Sequence, residues 1–226
     1  MAFVEELIKK LHHNQTSLPG VLGEQSAKDR LERLAEYCPV YKNFLTQFPQ
    51  YAIWLEDPAN RDETFRYSAF TNTWEEEFAK KGDSGSSFLS RLQKFRRQMS
   101  MRIAYREINQ LSTVGDSMVE LTLLAEFCLQ LVAAQTQADW QKSLGQPWDE
   151  ALNRPASYCV LCLGKMGGRE LNFCSDLDLI YLFDGQGHCR KEGKPTTASN
   201  EYFFTKMFQS MTGTLQKRSQ SGFLYN

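Results

Sequence analysis

The stretch Leu163-Gly164-Lys165-Met166-Gly167-Gly168-Arg169-Glu170-Leu171-Asn172-Phe173-Cys174-Ser175-Asp176-Leu177-Asp178-Leu179-Ile180 joins a glycine-rich turn to two aspartates in an apolar run. On an extended chain, side chains two residues apart share a face, so Asp176 and Asp178 look the same way, roughly 7 Å apart. Two like charges at that spacing are costly unless a cation sits between or above them. A hydrated divalent metal ion, shared between carboxylates and phosphate oxygens, satisfies that demand. The glycines let a backbone turn approach a phosphate closely, and turn amides can donate to its oxygens.

Working outward, Tyr158–Leu163 and Asp178–Phe183 are apolar runs of strand length. A polar, glycine-containing loop is expected over Asp184–Ser199, followed by a helix with Phe204, Met207, Met211 and Leu215 on one face and Lys217-Arg218 in its last turn. Gly222-Phe223-Leu224-Tyr225-Asn226 begins to read as a further strand. Residues 1–150, by contrast, read as helix after helix. Phe3–Leu11 has amphipathic spacing, and Ser26 with Asp29 fits a capping box for a helix running toward Tyr37. Short segments punctuated by Pro39, Pro49 and Pro58 carry Tyr41, Phe44, Phe48, Tyr51 and Trp54 as core candidates. A helix over Glu63–Lys80 should end at the loop Gly82-Asp83-Ser84-Gly85-Ser86-Ser87.

Two long helices follow. Phe88, Leu92, Phe95, Met99 and Ile103 mark the first, and Val114, Met118, Leu121, Ala125, Cys128 and Val132 the second, with a turn near Gly115. The first also carries Arg91, Lys94, Arg96, Arg97, Arg102 and Arg106. These form either a solvated basic face or a set of cations aimed at a phosphate or an acidic partner. The pattern is α+β: a helical domain, 1–150, followed by an α/β unit, 151–226.

Lys and Arg total 26 against 27 Asp and Glu, which gives no support to a general nucleic-acid or membrane-surface binder. With 42% apolar and 12% aromatic residues the chain has the composition of a folded protein. No uninterrupted apolar run approaches a transmembrane span, and the N-terminal stretch lacks a signal-type apolar region, so a cytoplasmic location is expected. The six cysteines then read as ordinary buried thiols. Cys159 and Cys162 form a C-x-x-C, but on a strand they face opposite sides, and no second such pair accompanies them.

The pattern h-G-x, ten residues, D-h-D-h resembles that of the nucleotidyltransferase superfamily related to DNA polymerase β. The P-loop pattern is absent. The longer stretch Gly164–Asn172 with Ser175–Ile180 resembles the glutamine synthetase adenylyltransferase family, also called glutamate–ammonia-ligase adenylyltransferase. Phe95-Arg96-Arg97-Gln98, Met101–Glu107, Leu121–Leu131, Tyr202–Lys206 and Ser221-Gly222-Phe223 extend the likeness over residues 85–226. The resemblance implies that residues 151–226 form a DNA polymerase β-like nucleotidyltransferase domain, incomplete at its C-terminal end.

It also implies that Asp176 and Asp178 are catalytic metal ligands for Mg2+ or Mn2+. Gly164, Lys165, Gly167 and Gly168 would form the phosphate-binding turn, with Ser175 orienting the nucleotide. Lys165 stands where many superfamily members have Ser or Gly. Arg169, Glu170 and Asn172 are open between a role in the site and a structural one, as an ion pair and a turn-stabilising side chain. The family acts on a tyrosine of glutamine synthetase: one half adenylylates it from ATP, and the other removes the AMP with phosphate as nucleophile and ADP as product.

A single site in an N-terminal position, and the Leu171-Asn172-Phe173 version of the motif, favour deadenylylation. Adenylylation, a non-catalytic nucleotide- or partner-binding module, and a nucleotidyltransferase acting on the PII signalling protein remain as alternatives. Glutamine synthetase is the expected partner and PII a further one, with neither nucleic acid nor membrane involved. The superfamily's third carboxylate is expected beyond Asn226, since Asp184 and Glu201 are not at the matching place. The chain as given is therefore expected to be nearly inactive.

Overall fold

A computed structural model of the chain describes residues 2–13, 20–79, 87–218 and 224–225. All but Ser87 of the loop expected at 82–87, the end of the preceding helix at Lys80, and most of the segment expected as a last strand lie outside them.

The N-terminal half is helical, as its apolar spacing predicts. Helices α1 (Ala2–His13), α2 (Gln25–Tyr37), α3 (Pro39–Gln47), α4 (Gln50–Glu56) and α5 (Pro58–Arg61) enclose a core of Leu7, Leu11, Leu31, Leu34, Phe44 and Leu45. Phe44 stacks on Tyr51 with centroids 5.4 Å apart, so these aromatics are interior packing. The capping box expected at Ser26 is not formed. Helix α2 starts two residues earlier, after Glu24, and Asp29 accepts a bond from Gln25 Nε2 instead. The reciprocal cap occurs at Thr113 and Asp116, which opens α8 (Val114–Leu144). Gly115 is thus inside the helix, and the turn lies at 109–113.

The helix expected from Glu63 begins only at Tyr67, as α6 (Tyr67–Thr73), and runs into a π-helical turn at Trp74–Phe78. The reason is a buried cluster reaching up from α7 (Phe88–Ile108). Arg102 donates to the carbonyls of Asn60 and Glu63, and Arg106 to that of Arg61, so these acceptors serve guanidinium groups rather than helical amides. Both arginines are paired with Glu120 of α8, at 2.7 Å and 2.5 Å, and the Phe65 amide bonds the same carboxylate. The basic helix is therefore not a solvated face at these two positions. Its acidic partner is internal.

Helices α7 and α8 run antiparallel: Phe95 meets Phe127, with ring centroids 5.4 Å apart, while Arg102 and Arg106 meet Glu120. By length and composition α8 could cross a bilayer, with mean hydropathy 1.6 over its most apolar window, yet 61% of that window is buried inside the protein. Its apolar sides are covered by α7 and by α10 (Asn200–Gln216). The helix stops at Gly145, whose φ of 92° suits a residue without Cβ.

Beyond Gly145 the chain forms three two-stranded antiparallel pairs. Strands β1 (Trp148–Asp149) and β2 (Arg154–Pro155) make a short hairpin. Strand β3 (Tyr158–Cys162) pairs with β4 (Leu179–Phe183), Cys162 opposite Leu179 and Tyr158 opposite Phe183. Between them lies α9 (Gly164–Gly167), a single helical turn. The region expected as a loop over Asp184–Ser199 contains a hairpin of β5 (His188–Lys191) and β6 (Lys194–Ser199). Its turn residues Glu192 and Gly193 both have positive φ, the conformation that tight hairpins require.

Helix α10 carries Phe204, Met207, Met211 and Leu215 inward, as expected, while Lys217-Arg218 fall just past its end. Phe208 and Phe204 stack under Tyr181 and Phe183, each pair 4.8 Å apart, so one face of the β3–β4 pair is sealed. A mixed α+β architecture results, with one apolar core continuous from α6–α8 into the sheet and α10.

Candidate active site

The other face of the β3–β4 pair is open, and both aspartates are on it. Exposure alternates with period two from Leu177 to Leu182, leaving Asp176, Asp178, Ile180 and Leu182 outward. The two aspartates do not lie within the strand proper. They immediately precede β4, and the bond from Leu163 N–H to Asp178 O, 2.8 Å, continues the ladder by one residue. On β3 the same face carries Cys159 and Leu161, while Cys162 turns inward, as the C-x-x-C spacing requires. Cys159 and Cys174 are exposed rather than buried thiols.

The glycine turn is built against this pair. Gly164 has φ +54°, and a Cβ placed on it would fall within 3.0 Å of Asp178 Oδ2. The carboxylate is therefore seated on the first residue of the turn. A Cβ on Gly167 would collide with the Cys162 carbonyl, so this glycine closes the turn back onto β3. The amides of Gly167 and Gly168 are already bonded, to the carbonyls of Leu163 and Gly164. Lys165 is exposed beside them.

From the turn to the aspartates the chain is self-bonded. Asn172 Oδ1 accepts from the Cys174 amide at 3.0 Å, and Ser175 Oγ accepts from the Asn172 amide at 2.9 Å. Asn172 thus stabilises the turn, and the Ser175 hydroxyl is engaged in it. Arg169, at φ +57°, lies 4.0 Å from Glu126 of α8. Phe173 packs against both apolar cores, tying the segment to the N-terminal helices.

The chemistry of the donors fits a hydrated divalent ion. Both carboxylates are exposed, and among the described residues no group of three or more His, Cys, Asp or Glu side chains forms a metal cluster, at this pair or elsewhere. Mg2+ commonly takes one or two protein carboxylates, filling its remaining positions with water and phosphate oxygens. Asp184 is occupied elsewhere. The Ser157 amide and Arg154, 2.6 Å away, hold its carboxyl below the usual range. Glu201 lies in the first turn of α10.

Sequence reasoning missed the supporting groups of α8. Thr122 and Glu126 meet the segment that leads to Asp176, Thr122 from 49 positions before its partner Leu171. Nothing in local spacing marks them.

A glycine turn closed on an Asp-x-Asp pair at a strand end is the arrangement expected of a nucleotidyl-transferring enzyme. The sequence profile of the glutamate-ammonia ligase adenylyltransferase family matches residues 29–226, and the chain belongs to that family. Among its relatives are proteins named bifunctional glutamine synthetase adenylyltransferase/adenylyl-removing enzyme. Those of Nitrosococcus oceani and Thioalkalivibrio sulfidiphilus are 33% and 36% identical over 134 residues, which is 59% of this chain. That of Shewanella loihica is 32% identical over the same length. The matched stretch covers only 13–14% of these relatives' own length.

Proposed function

We propose that residues 151–226 belong to a nucleotidyltransferase domain of the DNA polymerase β type, carried by the helical unit 1–150, and that it removes AMP from adenylylated glutamine synthetase by phosphorolysis. The single observation behind the site is the seating of Asp178 on Gly164, with Asp176 on the same open face. Carboxylates and a close-approach turn at one strand end are what a phosphoryl group and its cation need. The names of the relatives, which pair glutamine synthetase adenylyltransferase with adenylyl-removing activity, support the substrate proposed.

In this reading Asp176 and Asp178 hold Mg2+ or Mn2+, which neutralises charge on the phosphoryl oxygens when bound. The open backbone at Gly164 and Lys165 lets the phosphate approach, and the Lys165 ammonium adds positive charge there. Ser175 orients the nucleotide through the turn it closes. An oxygen of inorganic phosphate attacks the AMP phosphorus, the bond to the tyrosyl oxygen breaks, the phenolate takes up a proton, and ADP leaves. PII is a further proposed partner, and the cytoplasm the proposed compartment.

The test, on a longer form of the protein that includes the residues following Asn226 and with them the expected third carboxylate, is incubation with Mg2+ and either phosphate plus adenylylated glutamine synthetase, or ATP plus the unmodified protein. Formation of ADP in the first mixture with no AMP incorporation in the second supports the proposal. Incorporation from ATP alone reverses the direction assigned. Mn2+ binding without either reaction identifies a binding module, and absence of Mn2+ binding removes the site.

A further inference from the structure

The Asp176–Asp178 pair is held at two points of different strength. Asp178 is fixed from the sheet, through its carbonyl bonded to Leu163 and its carboxylate seated on Gly164. Asp176 has no such ladder bond. On its N-terminal side is the tight turn Asn172–Ser175, where Ser175 N–H bonds Asn172 O at 3.2 Å and Asn172 N–H bonds Ser175 Oγ at 2.9 Å, while Phe173 and Leu177 pack the flanking chain on the core. A turn bonded to itself transmits the position of its first residue to its last, so what fixes residue 171 acts on Asp176 alongside the core packing of Phe173 and Leu177.

The anchor of residue 171 is on α8. Leu171 is buried, and its amide points at Thr122 Oγ1, 3.4 Å away. Thr122 is 1% exposed, and its hydroxyl hydrogen is committed to Met118 O at 2.8 Å, which leaves the oxygen as an acceptor for Leu171. One helical turn along, Glu126 meets Arg169, so the segment runs along one ridge of the helix. Arg169 holds a left-handed backbone conformation, unusual for a residue with a Cβ and sustained only by surrounding contacts.

We infer that Thr122 is a positioning residue for the site: its hydroxyl fixes Leu171, and through the Asn172–Ser175 turn it sets Asp176 against Asp178. This rests on the metal-binding reading of the aspartates proposed above. Thr122→Val keeps the shape and leaves the Leu171 amide buried without its acceptor. Thr122→Ser keeps the oxygen.

Three quantities decide it in the purified chain: Mn2+ affinity by electron paramagnetic resonance, amide exchange over residues 169–178, and urea stability. Thr122→Val is expected to weaken Mn2+ binding about tenfold and to speed exchange of that segment by a similar factor. Thr122→Ser should restore both to within about twofold of wild type, and exchange in β3 should not change. Wild-type affinity and exchange in the valine variant would overturn the inference, as would a serine variant as impaired as valine. A wild-type chain that binds no Mn2+ removes the metal site itself, and exchange at 169–178 then decides alone whether Thr122 holds the segment.

Discussion

Asp178 rests on Gly164: its Oδ2 occupies the space that a side chain on the glycine would need. The contact joins the two halves of the sequence motif and fixes the turn relative to the strand end. A side chain at this position would displace the exposed carboxylate, and the φ of +54° favours glycine independently of that contact.

Gly164→Ala should therefore cost stability of about 1–2 kcal/mol from the left-handed backbone alone. The methyl group also displaces the Asp178 carboxylate, so Mn2+ affinity should fall at least tenfold, by a 1.4 kcal/mol criterion. Titration of the variant by paramagnetic resonance checks this. Unchanged affinity would show that the carboxylate is free to move aside without consequence.

Asp176→Asn and Asp178→Asn should each remove a charged ligand while changing almost no volume. Both are expected to weaken Mn2+ binding at least tenfold, by a 1.4 kcal/mol criterion, and leave thermal stability within about 0.5 kcal/mol, as for exposed substitutions away from buried networks. Loss of folding in either variant would make these aspartates structural.

Glu120→Ala should strand the Arg102 and Arg106 guanidinium groups, which are buried and otherwise bonded only to neutral oxygens in the loop below. Breaking such a cluster from one side costs about 3–5 kcal/mol. Urea denaturation measures it. A loss below about 1 kcal/mol would place the cluster with ordinary surface pairs.

Alkaline pH should destabilise the fold cooperatively. Burial pushes the phenols of Tyr41, Tyr51, Tyr105 and Tyr225 above their ordinary value of 10.0, and Glu56, which accepts the Tyr105 hydroxyl, adds to the effect there. A group with a raised folded pKa contributes stability that is complete below the unfolded value and is lost as pH rises through the folded one. The unfolded chain releases these protons first, so stability should fall from about pH 10 upward. Absorbance of the phenolate should lag behind free tyrosine and then rise together with the loss of helix signal. Titration of all nine tyrosines near pH 10 with the helices intact would refute the burial assigned here.

Much of the site could be read from the chain order. Period-two alternation placed Asp176 and Asp178 on one face, because that depends only on extended backbone. Helical spacing located α7, α8 and the inward face of α10 for the same local reason. Where the reading failed, a distant side chain had taken over a local choice. Arg102 and Arg106 drew the carbonyls near Glu63 out of a helix, and Glu120 turned two surface candidates into buried cations. The β5–β6 hairpin was missed although Glu192-Gly193 offered a turn signal, because short polar strands carry little apolar pattern.

The sequence by itself determined the glycine turn and the shared face of the two aspartates, both set by near neighbours in the chain, and the family, carried by the motif and the segments quoted from residue 85 onward. Only the tertiary structure decided that Asp178 sits on Gly164 and that Leu171 hangs from Thr122. It also decided that Arg102 and Arg106 of α7 are consumed inside the protein. Those relations pair groups far apart in the chain or across a turn. Periodicity carries no information about them, because which buried donor meets which acceptor is settled when the elements pack.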